Sequence, residues 1–159
     1  MNDDYDGLLA DLGSDREIQA VLNRVCELTG MGFAAVAHVS ETRWIACQVE
    51  DRIAFGLKPG DELEIKQTIC NDVRTSRRAI TIDNTDVDPD WWNNPVPILY
   101  GFRSYASLPI VVDSHFFGTL CVIDDVPRER SLQESLAELE AMALVIAGLL
   151  APRLRLRAA

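Results

Sequence analysis

The sequence predicts an α+β domain, a sandwich built on one central antiparallel sheet of five to six strands, with the terminal helices on one face and connecting loops on the other. Three observations predict it. Segments of helical period stand near both chain ends, at 14–30 and 131–151. Between them lie apolar runs short enough to be strands, several paired across tight turns. The remaining connections are long and broken by Gly and Pro, so they have to lie over the sheet face that the helices leave open. With 159 residues the chain has the size of one domain and can bury a real core. The domain is placed at 14–151, after a flexible N-terminal extension at 1–13 and before a basic tail at 152–159.

Each element has its own justification. "SDREIQAVLNRVCELTG" sets Ser14 and Glu17 at capping-box spacing and puts Ile18, Val21, Leu22, Val25 and Leu28 on one helical face, with Gly30 as terminator. "GFAAVAHVS" and "RWIACQV" read as strands joined by a short turn into a hairpin. "EDRIAFGLKPGDELEIKQ" is a long connection with a short strand near Leu63 to Ile65. "TICNDVRTSRR" is a short helix capped by Thr68, with Ile69 and Val73 on its inner face, and "AITIDNT" alternates as a strand. "SYASLPIVV" and "FFGTLCVID" form a second hairpin through "DSH". The last helix opens with Ser131 and Glu134 as a capping box, carries Leu132, Leu136, Leu139, Ala143, Ile146 and Leu150 at helical spacing, and stops at Pro152. Its second half, "AMALVIAGLL", is apolar nearly all round, which requires burial on the sheet and first helix together or in a dimer interface.

Composition excludes several function classes. A net charge of −10, with 15 Lys and Arg against 25 Asp and Glu, repels a phosphate backbone, so nucleic acid is not an expected partner. The acidic start "MNDDYDGLLADLGSD" lacks the basic and apolar regions of a signal peptide, and no unbroken apolar run has the length of a spanning helix. The expected location is the cytoplasm, with no membrane partner. The cysteines Cys26, Cys47, Cys70 and Cys121 show no zinc spacing and His38 and His115 lie far from them in sequence, so no metal site is expected. Asp83, Asp86, Asp88 and Asp90 read as a solvated loop with Asx turns rather than a cation site.

The segment "DVDPDWWNNPVPILYGFRSY" asks for a function. Large aromatics in a loop are buried, or wait for a ligand or partner. Neighbours in extended backbone point opposite ways, so at most one of Trp91 and Trp92 turns inward, and the other is exposed or covered by a partner. With Tyr100, Phe102 and Tyr105 the inward ring would wall a flat pocket, and Ser104, Thr68 and Arg103 would supply polar contacts beside Cys70. A self-filled core is the competing reading. Cys70 has a second role open to it. In the first turn of a helix its thiolate would be stabilised by unpaired N–H groups, against the plainer reading of "TIC" as a buried apolar patch.

These residues resemble a GAF domain, the small-molecule sensory module of bacterial signalling proteins and phosphodiesterases. "SLPIVVDSHFFGTLCVIDD" is similar to the family's Pro-bearing strand, tight turn and Gly-bearing strand ending in acid, here Leu108, Pro109, Ile110, Gly118, Leu120 and Asp124. "AITIDNTDVDP" resembles its Asp-Pro loop, and "FGLKPGDELEIKQTICNDV" the connection of the subgroup found beside PAS domains and histidine kinases. The resemblance spans roughly Asp15 to Leu150. It implies a ligand pocket on one sheet face, roofed by 86–105, terminal helices used for dimerisation through 15–30 and 131–151, no catalysis, and output to a signalling kinase or other protein. The ligand implied is a small organic molecule of unknown identity. A covalent bilin is not expected, because no Cys-His pair stands in this chain.

Two other readings remain. Free methionine-R-sulfoxide reductases of the same fold resemble the chain around Cys47 and Cys70, which makes these the candidate redox residues. The loop that carries the nucleophile in that family here contains no thiol. A dimerisation domain with a collapsed, ligand-free pocket is the third reading.

Overall fold

The computed structural model describes residues 6–64, 69–93 and 95–158. The elements are α1 (Asp6–Leu12), α2 (Arg16–Thr29), β1 (Phe33–Val39), β2 (Trp44–Asp51), β3 (Glu62–Leu63), α3 (Cys70–Ser76), β4 (Ile80–Ile82), α4 (Pro95–Tyr100), β5 (Ser104–Val112), β6 (His115–Asp124) and α5 (Leu136–Ala158), the last entered through a 3-10 turn, Leu132–Ser135. The strands form one six-stranded antiparallel sheet in the order β3-β2-β1-β6-β5-β4.

Strand alternation divides the core in two. Ala34, Val36, Ile45, Cys47, Ala106, Leu108, Ile110, Leu120 and Val122 point to one face and join Leu22, Val25, Leu139, Ile146 and Leu150 of α2 and α5. The intervening residues, among them Phe33, Trp44, Tyr105, Cys121 and Ile123, point to the other face, where α3, α4 and the long connections cover them. The β1–β2 register shifts between Val36 and Ala37, a bulge that lets Ile45 and Cys47 keep the helix side. Between β5 and β6, Asp113 and Ser114 both have positive φ, 49° and 68°, as a two-residue turn matched to strand twist requires.

Several expectations are corrected. The α2 cap is Asp15, not Ser14: its carboxylate accepts from Ile18 N at 2.9 Å, while the Ser14 hydroxyl donates to Asp11 O. Residues 6–12 are not a flexible extension. They form α1, whose Leu8, Leu9 and Leu12 are buried. Ser131 does cap, through Gln133 N, but it opens the 3-10 turn rather than an α-helix.

Pro152 does not stop α5, which continues to Ala158. A helical proline crowds the carbonyl four residues back. The continuation is held down by Arg153 paired with Asp15, and by Arg155, whose guanidinium donates to both oxygens of Asp113 at 2.7 and 2.8 Å. The supposed tail is therefore anchored. By length and composition the 132–156 helix also suffices to cross a membrane; here its inner face packs on β5 and α2.

Candidate functional site

On the sheet face opposite α2 and α5, aromatic and apolar side chains from separate elements close on one cavity. Phe33, Trp44, Tyr105, Cys121 and Ile123 form its floor. Phe55 and Leu57 come from the β2–β3 connection, Ile69 and Cys70 from the start of α3, and Val96, Tyr100 and Phe102 from α4 and its exit. The cavity is partly open to solvent, and its free volume is about 30 Å³, room for one or two waters against the ~300 Å³ of an ordinary organic-ligand site.

The roof is held by backbone hydrogen bonds rather than by packing alone. Asp51, at the end of β2, accepts from Ile53 N (3.2 Å) and Phe55 N (3.0 Å) through Oδ1, and from Gly56 N (2.9 Å) through Oδ2. Burial would raise this carboxyl, but the backbone donors outweigh it and hold its pKa below the usual value. Those bonds set Phe55 against Phe33, ring centroids 5.0 Å apart. Across the cavity, Phe102 and Tyr105 stack at 5.1 Å.

At the cavity floor the sheet brings together two thiols that sequence reasoning left apart. β5 and β6 pair Ser107 with Cys121 and Pro109 with Thr119, and α3 lies over these residues with Cys70 as its first residue. Cys70 Sγ is 3.1 Å from Cys121 Sγ, 3.1 Å from Thr119 Oγ1, which donates to it, and 3.2 Å from Tyr105 OH. Both cysteines are 2% exposed. Trp44 Nε1–H is buried at the same place and meets no acceptor among the described residues.

Burial alone would push the Cys70 thiol up. The donors Cys121, Thr119, Tyr105 and Trp44 outweigh burial and draw it down to about 6. Trp44 takes part in this without a geometric hydrogen bond, so its share is the electrostatic pull of a nearby N–H. Cys121 is pushed well up, first by its hydrogen bond to Cys70 and then by burial. The two thiols titrate as one unit, with an easy first proton and a hard second. Cys70 owes nothing to a capped helix: the cap position is Ile69, with no side-chain hydrogen bond.

A family model for the GAF domain matches residues 15–151. The chain belongs to the GAF family. Solved structures similar to this GAF domain include a type II free methionine-R-sulfoxide reductase from Thermoplasma acidophilum (TM-score 0.66, 14% identity, covering 89% of this chain and 94% of that one). The GAF domain of an Acinetobacter phosphoenolpyruvate-protein phosphotransferase matches at TM-score 0.65 and 12% identity over 92% and 89% of the two chains. The GAF domain of a two-component sensor histidine kinase from Bacillus halodurans matches at 0.64 and 16%, over 92% and 99%. Identities this low establish the shared fold. Comparison with curated proteins gives no match.

Within the GAF fold the residues singled out from sequence are distributed as follows. Cys70, Tyr100 and Phe102 line the cavity. Trp91 is half-buried and packs against the same cluster without reaching the cavity, while Trp92 is 61% exposed. Their opposite directions come from a turn, not from extended backbone, since both N–H groups donate to Asp88 O. Ser104 is buried but donates to Val126 O, away from the cavity, and Arg103 pairs with Asp86 on the surface. Thr68 lies outside the described residues.

The structure separates Cys47 from Cys70. Cys47 belongs to the helix-side core, and burial pushes its thiol up to about 12. The candidate redox pair of the sequence is thereby corrected: the thiol facing Cys70 is Cys121. The signal that would have found it is alternation in β6, which puts Thr119, Cys121 and Ile123 on the face opposite Leu120 and Val122.

Proposed function

We propose that this chain is a non-catalytic cytoplasmic sensory or regulatory module that takes a small, mainly apolar ligand at the roofed sheet face. Occupancy would be passed through the sheet to a dimer of terminal helices, and from there to a signalling kinase or other output protein. The observation that carries this reading is the cavity itself. Its walls come from β1, β2, β5 and β6 below and from three independent roof segments above, and β5, one of its floor strands, packs on α5 through its opposite face. A change at the roof therefore bears on the same strand that carries the signalling helix.

The free volume of about 30 Å³ sets a condition. Any ring-sized ligand has to displace the roof, and the displaceable parts are the 52–57 loop and α4, which rest on a few hydrogen bonds and half-buried aromatics. The acidic surface and the apolar lining together favour neutral ligands over anions. The Acinetobacter and Bacillus halodurans GAF domains come from a phosphotransferase and a histidine kinase, which supports the regulatory setting.

Native mass spectrometry of freshly purified protein tests the reading. The expected spectrum is a dimer carrying a discrete non-covalent mass, with indole as an added probe raising Tm in a concentration-dependent manner. A dimer without adduct, and no Tm response to indole or benzene, would replace the reading with that of a dimerisation domain whose pocket is filled by its own side chains.

A further inference from the structure

We propose that Cys70 and Cys121 are a redox modification site, closed into an intramolecular disulfide by a small peroxide that reaches them through the cavity. This goes beyond ligand sensing and does not require an organic ligand. It rests on the 3.1 Å separation of the two sulfurs, on the donors gathered around Cys70, and on the cavity that borders both thiols.

The geometry selects the reaction. A disulfide needs its sulfurs at about 2.05 Å, so closure asks for a movement of only about 1 Å. Thr119 Oγ1–H and the Tyr105 hydroxyl stand at 3.1 and 3.2 Å from Cys70 Sγ, and the buried Trp44 indole N–H meets no acceptor among the described residues. A ring of donors around one sulfur is what a thiolate needs where bulk water is largely replaced by protein. The free volume of about 30 Å³ has room for a molecule of two oxygen atoms without displacing the roof. Hydrogen peroxide fits.

The chemistry balances as follows. The Cys70 thiolate attacks one peroxide oxygen, the S–O bond forms as the O–O bond breaks, and the leaving hydroxide takes a proton to become water. Sulfur is oxidised by two electrons to the sulfenic acid. Cys121 Sγ then attacks that sulfur, S–S forms as S–O breaks, and the departing hydroxyl leaves with the Cys121 proton as a second water. Two thiols and one hydrogen peroxide give one disulfide and two waters. A dithiol reductant reverses the change. Oxidation draws the start of α3 toward β6 and turns the sulfur partner of the Tyr105 hydroxyl into a neutral, weaker acceptor, so the floor and roof around the cavity are repositioned.

The test treats the full chain with hydrogen peroxide, quenches by denaturing alkylation without reductant, and maps the peptides by mass. The expected product is a monomer lighter by two hydrogens, with Cys70 joined to Cys121, Cys26 and Cys47 alkylated, and full reversal by dithiothreitol. In Cys121→Ser the sulfenic acid should persist at Cys70 and be trapped by dimedone; Cys70→Ser should show neither product. Four alkylated cysteines after treatment, or a bridge involving Cys26 or Cys47, would overturn the proposal. Wild-type peptide mapping decides the matter even if a variant fails to fold, and the result is independent of whether a ligand adduct is found.

Discussion

A Cβ placed on Gly118 would lie 1.8 Å from the carbonyl oxygen of Ala37, so β1 and β6 approach at this point only because residue 118 has no side chain. The obstacle is backbone, and no rotamer change relieves it. Gly118→Ala is expected to destabilise the fold by about 3 kcal/mol or more, seen as a lowered urea midpoint. Gly148→Ala, where the added Cβ meets nothing, should instead be neutral or stabilising by up to about 1 kcal/mol through helix propensity. Equal effects at the two positions would refute the close-approach account.

The Asp51 carboxylate ties the roof to the sheet, and its folded-state pKa is depressed. A depressed carboxyl contributes stability that is complete above its unfolded value, near pH 4, and is lost as pH falls through the lower folded value. Acid should therefore loosen the 52–57 loop. Asp51→Asn keeps one acceptor oxygen and loses the other, so it is expected to cost about 1 kcal/mol near neutrality and to flatten the decline of Tm between pH 5 and pH 3. An unchanged acid limb in the variant would remove Asp51 from the explanation.

The adjacent tryptophans separate by burial. Trp91 packs on the roof cluster, and Trp91→Ala is expected to cost about 2 kcal/mol, less than a fully buried ring. Trp92 is 61% exposed, so Trp92→Ala should stay within ~0.5 kcal/mol. Thermal melts of both variants check this, and a larger loss at Trp92 would mean that a partner covers it.

Much of the fold was legible because strand alternation and helical period act over many residues and reinforce each other. Leu139, Ile146 and Leu150 are buried where the spacing puts them. The exceptions are local. Asp15 and Ser14 are both good caps, and only the chain direction entering α2 decides between them. α4 was not expected because Pro95 and Pro97 read as breakers, yet the first turn of a helix has N–H groups with no partner to lose. Pro152 is accommodated in a helix whose continuation is held by Arg153 and Arg155, each of which finds a carboxylate. The cavity's aromatic walls Tyr100 and Phe102 were visible in the loop, whereas Cys121 depended on which neighbour α3 would cover. Alternation in β6 puts Cys121 on the cavity face, but its pairing with Cys70 is a tertiary fact that no spacing between positions 70 and 121 encodes.

The outer face of α5 bears on the proposed dimer. Leu144 is 73% exposed, Val145 49% and Leu156 77%, with Leu28 of α2 at 37%, an apolar stripe that a helix of this length would cover with a second copy. Arg24, Glu27 and Glu138 flank the groove between the two helices, where opposite charges can fix the register of a partner. Because Leu144 touches little within one chain, Leu144→Glu should leave the monomer folded. It is expected to halve the mass seen by light scattering and to abolish the concentration dependence of Tm that an associating protein shows. A wild-type protein that is monomeric at all concentrations, or a variant that keeps the wild-type mass, would place the dimer contact elsewhere or remove it.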